Sequence, residues 1–232
     1  MNLTIESIFK RDETEQFCRE TGTGSLISQK CRALLVYAAG GCALYGFTMG
    51  LGHSLAQALS SAIKVFLLFA LTLAICLSTL HFIGLLFGSR IKLQQTLTVL
   101  LGGVSLTGIL LGAFAPISLF FLLSNASYEF LLLLHVAIFA CCGTAGLLSI
   151  KRNMGTITDL VVDDDSAKAD VDDAGQSTAL LNIWFLLYMF IGSQMSYLLS
   201  PFVGNNSNFL LFAAHKGDFF SYVLQTLAAF FE

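Results

Sequence analysis

Five stretches of the chain, residues 33–52, 65–88, 93–115, 130–150 and 180–202, are predominantly apolar and carry no formal charge. Each has the roughly 20 residues that a helix needs to cross about 30 Å of hydrocarbon. The pattern predicts an all-α fold: a polytopic transmembrane helix bundle of five spans, with an interfacial helix at each end. In the leader, Leu3, Ile5, Ile8 and Phe9 oppose Glu6, Lys10, Arg11, Asp12, Glu13 and Glu15, the two-sided pattern of a helix lying on a membrane surface. Gly22 and Gly24 break that helix, and Ser25 is a candidate cap leading into the first span. At the other end Asp218 is placed to cap a helix over Phe219–Phe231, which at 1.5 Å per residue reaches only ~20 Å and is too short to cross.

This divides the chain into a cytoplasmic leader (1–32), a four-helix membrane part (33–150), an acidic cytoplasmic loop (151–178), a fifth transmembrane helix (179–203) and an exterior interfacial helix (204–232). Basic residues orient it. Ten of the twelve Lys and Arg fall on the side of the leader, and only Lys64 and Lys216 fall opposite. Positive charge stays in the cytoplasm, so the amino terminus is expected inside and the carboxyl terminus outside, most simply in a bacterial inner membrane. The polar first 32 residues do not read as a cleavable signal peptide. Composition agrees, with 56% hydrophobic and 12% charged residues where soluble domains carry about 25% charge. The small net charge of -3 gives no reason to expect a nucleic-acid partner. The lipid bilayer and other membrane subunits, or further copies of the chain, are the expected partners.

Glycine marks where helices meet. Gly46 and Gly50, Gly84 and Gly88, and Gly108 and Gly112 form three Gly-x-x-x-Gly pairs, which let backbones approach closely where no hydrophobic effect drives association. They are read first as seams within one chain, and alternatively as seams between subunits. Pro116 is expected to end or kink the third span, leaving 117–124 as an apolar continuation. Residues 159–175 hold seven Asp against one Lys. They lack the alternating ligand offsets and distal Glu of a calcium loop, and read as a solvated, disordered segment. Asn125 and Asn205 begin glycosylation sequons on the predicted outer side.

Polar groups inside spans are the usual pointers to function, because each costs free energy unless paired. Here they are few. His81 lies too deep to share a proton relay with His135, whereas His135 and Gln194 fall at nearly equal depth and form a candidate interhelical hydrogen bond, worth about 1 kcal/mol. No Asp or Glu lies within a span, which argues against carboxylate-coupled transport. The adjacent Cys141 and Cys142 have no ligand partner at metal-binding spacing and read as small apolar residues. No zinc helix, nucleophile elbow or phosphate loop is present, so no enzyme, cofactor or metal site is expected.

Four runs, 43–50, 57–64, 93–97 and 192–204, resemble a group of bacterial multispan membrane proteins of unassigned function, a likeness that extends over residues 33–230. Five spans with a cytoplasmic amino terminus also resemble the topology of the Yip (Ypt-interacting protein) family of membrane-trafficking proteins, without the tyrosine- and proline-bearing signature of its eukaryotic members. The first resemblance singles out Lys64, Gln194 and Pro201 as residues in its most distinctive stretches. The expected function is a non-enzymatic subunit or scaffold of a membrane assembly. The alternatives are a passive channel or facilitator, with His135, Gln194 and the Gly-rich first span along its path, and a membrane-organising or trafficking protein.

Overall fold

The computed structural model describes residues 27–86, 93–124, 126–163, 171–200, 202 and 217–231. They form six helices: α1 Ile27–Gly50, α2 Leu55–Leu86, α3 Leu93–Leu123, α4 Tyr128–Asp163, α5 Val171–Leu199 and α6 Phe219–Phe231. The expected all-α bundle is therefore what forms. The leader helix, its Ser25 cap and both sequon asparagines lie outside the described residues.

Helix α1 sits at the centre. It buries Leu34, Ala38, Cys42, Tyr45 and Met49, a stripe with the three-and-four spacing of a single helix face. Helices α3 and α2 pack on it from either side, α4 packs on α3, and α5 packs on α2. Helix α6 lies across α4 and α5. One end of the bundle is marked by Cys31 Sγ, 3.3 Å from Thr98 Oγ1, and by Lys151 Nζ donating to Asn182 Oδ1 at 2.9 Å. The other end holds the α1–α2 turn, the start of α4, Phe202 and α6, so α6 lies opposite the start of α1.

Glycine creates the closeness of the α1 seams. A methyl group built on Gly46 would stand 2.5 Å from the Ser61 carbonyl oxygen, and one on Gly50 2.5 Å from Ala58 Cα, so this pair seats α1 on α2. One on Gly108 would stand 2.8 Å from the Ala38 oxygen, and one on Gly112 3.3 Å from Gly41 Cα, which seats α3 on α1. Both pairs are thus seams within the chain. Gly103 and Gly146 make a further seam between α3 and α4 that the Gly-x-x-x-Gly spacing does not reveal. The surroundings of Gly84 and Gly88 lie outside the described residues.

Four expectations change. Among the described residues four helices, not five, are long and apolar enough to cross a membrane. The stretch expected to be the fifth span is helical, but Asn182, Ser193, Gln194, Ser196 and Tyr197 dilute its apolar character. It nonetheless runs antiparallel beside α2: Trp184 Nε1 donates to the Cys76 carbonyl at 3.0 Å, and the Phe202 carbonyl accepts from Ser61 Oγ at 2.6 Å. Secondly, the second span begins at Leu55 rather than at residue 65. Ser54 caps it, its Oγ accepting from the Gln57 amide at 3.2 Å. Lys64 therefore lies within the helix rather than before it. Thirdly, of the expected end or kink at Pro116 the end does not occur, and α3 continues through it to Leu123. Lastly, residues 159–163 of the acidic segment belong to α4 and residues 171–175 to α5, while residues 164–170 lie outside the described residues.

Candidate functional site

The turn Gly217–Asp218 starts the site. Gly217 holds φ 121°, a left-handed conformation natural to glycine, and turns the chain into α6. Asp218 stands at the expected cap position: its carboxylate accepts from the hydroxyl of Ser221 at 2.5 Å, and its carbonyl accepts the first helical bond from the Tyr222 amide at 3.1 Å. Capping sets Tyr222 toward the bundle, where its hydroxyl lies 3.3 Å from that of Tyr128 and its ring 5.7 Å from that of Tyr197. Phe220 stacks on Phe190, and Phe230 packs beside Phe130. Helix α6 is therefore docked on α4 and α5 by aromatic contacts, with Leu224 and Leu227 left exposed.

Beneath it lies a small, partly open cavity of about 60 Å³. Leu132, His135, Val136 and Phe139 of α4 form one wall, and Ser196, Tyr197 and Ser200 form the other. Among the described residues that line it, His135, only 4% exposed, is the one nitrogen-bearing side chain. Its Nδ1 lies 2.7 Å from the hydroxyl of the fully buried Tyr45 on α1, with the rings edge to face at 5.6 Å. The expected partner was Gln194. His135 pairs with Tyr45 instead, because α4 packs on the α1–α3 layer and turns this face of its ring to α1. Gln194 is half-buried on α5, and no hydrogen bond joins it to His135 among the described residues.

A second polar cluster lies where α2 meets the end of α5. Gln57, Ser61 and Lys64 fall at i, i+4 and i+7 on one helix face and are all buried, Lys64 to 4% exposure. Ser61 Oγ donates to the Phe202 carbonyl at 2.6 Å, and Gln57 Nε2 donates to it at 3.4 Å. Lys64 is thus an inward-facing residue of the bundle. Pro201 lies outside the described residues, but its neighbour Phe202 is the anchor.

Sequence reasoning missed Tyr45, Gln57 and Ser61. Tyr45 sits in the buried stripe of α1, and that stripe was the available signal; Gln57 and Ser61 were hidden because polar residues on one face lower the hydropathy of the whole turn. Chemically the arrangement offers hydrogen-bonding groups together with the buried amine of Lys64. No three side chains of His, Cys, Asp or Glu converge among the described residues. Cys141 is exposed and Cys142 buried, so the two neighbours point apart. Compared with protein families, with characterised proteins and with solved structures, the chain matches none.

Proposed function

We propose that this integral membrane protein is a non-enzymatic subunit or scaffold of a membrane assembly. The observation that supports it is where the buried polar groups are spent. Tyr45 with His135 ties α1 to α4, Thr107 with the Cys142 carbonyl ties α3 to α4, and Ser61 and Trp184 tie α2 to α5. These bonds hold a framework rather than assemble a reaction centre. Outside that framework α2 presents Leu55, Leu59, Ile63, Leu67, Leu71 and Ile75, one every fourth residue, as an apolar ridge that winds about the helix. Such a ridge suits lipid or the helix of a partner equally, and the assembly reading assigns it to a partner.

In the proposed orientation the amino terminus is cytoplasmic and the carboxyl terminus outside, in a bacterial inner membrane. The bias of ten of twelve Lys and Arg to one side supports it.

Native mass spectrometry of the protein, gently extracted at natural abundance, tests the reading. Co-purification in a fixed ratio with other polypeptides is expected; a lone monomer refutes it. A homo-oligomer favours the second reading, a facilitator of small-solute passage, for which the cavity at His135 is the supporting observation. That reading predicts flux in liposomes, lost in Gln194→Leu.

A further inference from the structure

We propose that the cavity between α4, α5 and α6 binds a membrane-dissolved amphiphile with a neutral carbonyl head, whose oxygen accepts a hydrogen bond from His135 Nε2.

The hydrogen bond to Tyr45 fixes the chemistry of the histidine. Tyr45 is completely buried in the α1 core and is not part of the cavity wall. Among the described residues the acceptor within reach of its hydroxyl proton is His135 Nδ1, at 2.7 Å. With Nδ1 accepting, the neutral ring carries its proton on Nε2. The two nitrogens lie at different positions on the ring: Nδ1 faces α1, and the edge that carries Nε2 is the one we assign to the cavity that the ring lines. Nε2 has no hydrogen-bond partner among the described residues. An N–H in such a place is open to an acceptor that enters the cavity, and a charge-neutral N–H···O bond there contributes about 1 kcal/mol.

The walls define what carries that acceptor. Among the described residues no Asp, Glu, Lys or Arg lines the cavity, so a charged head would find no counter-charge among them. Leu132, Val136 and Phe139 are apolar, while Tyr128 and Tyr222, whose hydroxyls lie 3.3 Å apart, and Ser200 also line it. His135 lies seven residues into α4, ~10 Å beyond Tyr128 along the helix axis. A tyrosine pair belongs at the lipid headgroup level, so the head would sit below it, at the depth of the upper acyl chains. Helix α4 is held by α3 and α5 by α2, leaving a gap that α6 roofs at one end. A hydrocarbon tail leaves through that gap into the bilayer. The volume suits a small head; filled with water alone it would hold roughly four molecules.

The test uses the full chain in nanodiscs of diether phosphatidylcholine, whose lipids contain no carbonyl. Two probes are titrated, 2-dodecanone labelled with carbon-13 at the carbonyl and a decyl-tailed benzoquinone, with dodecane as the competitor lacking the oxygen. The expected result is an infrared carbonyl band shifted to lower wavenumber that saturates at one probe per chain and is not displaced by dodecane. His135→Leu removes the shifted band. Val223→Phe fills the mouth without touching the Tyr45–His135 bond and weakens binding by about tenfold or more. Tighter binding of the quinone assigns a ring-bearing lipid-soluble carbonyl as the source, and tighter binding of the ketone a linear one. No saturable shifted band in the wild type means that the cavity holds water only and overturns the proposal. So does a band that persists unchanged in Val223→Phe, whether or not His135→Leu folds.

Discussion

Gly40 and Gly41 are neighbours on α1, and the same substitution at each has opposite consequences. A methyl group at Gly41 overlaps the Gly108 carbonyl of α3 and stands 3.0 Å from the Ile109 amide nitrogen, whereas at Gly40 nothing lies within 4 Å. Ordinary contact begins near 3.4 Å, so Gly41→Ala forces α1 and α3 apart by on the order of 1 Å. Even the reciprocal Gly108→Ala needs 3.4 − 2.8 = 0.6 Å at the Ala38 oxygen. A gap of that size forfeits roughly 40% of each dispersion well, and for on the order of 30 atom pairs at ~0.15 kcal/mol the loss is ~2 kcal/mol. Gly41→Ala and Gly108→Ala are therefore each expected to destabilise by about 2 kcal/mol, within the range found for overpacked cores. Gly40→Ala is expected to be neutral or stabilising by up to ~1 kcal/mol, since alanine favours the helix. Sodium dodecyl sulfate titration in mixed micelles, followed by circular dichroism, reads both. Equal midpoints for Gly40→Ala and Gly41→Ala would refute the internal seam and return the glycines to an intersubunit role.

Ser61→Ala removes the 2.6 Å bond to the Phe202 carbonyl and should lower the unfolding free energy by about 1 kcal/mol in the same titration, with loosening at the end of α5 detectable by hydrogen exchange. Trp184→Phe keeps most of the buried ring but loses the indole bond to Cys76, with an expected cost of about 1–2 kcal/mol; an unchanged midpoint would show that α5 is not held there. A double-mutant cycle on Tyr45→Phe and His135→Leu should return a coupling of about 1 kcal/mol, and a coupling near zero would remove the α1–α4 bond from the account. Lys151→Ala, although it deletes a 2.9 Å bond to Asn182, is exposed and should change stability by less than about 0.5 kcal/mol.

The sequence by itself determined the medium and the class of fold. Long uncharged runs cannot be solvated by water, and a backbone in hydrocarbon must satisfy its own hydrogen bonds, so helices were the outcome over 33–50, 65–86, 93–115 and 130–150. The start of α6 was legible as well, because its signals are local: Asp218 bonds Ser221 and Tyr222, three and four residues on. Hydropathy could not see faces. Gln57, Ser61 and Lys64 lower the mean of their turn, yet at i, i+4 and i+7 they form one inward stripe, so α2 begins ten residues earlier than the apolar run. For the same reason α5, polar along part of its length, is held to α2 by Trp184 and Ser61 rather than marked by its own composition. Partner choice belonged to the tertiary structure alone. Equal depth allowed His135 to meet Gln194, but depth is only one coordinate, and the rotation of α4 on α3 selected Tyr45. Likewise three Gly-x-x-x-Gly spacings announced close helix contacts, while which helices met, and that the first and third pairs both converge on α1, was decided by how six helices share one core.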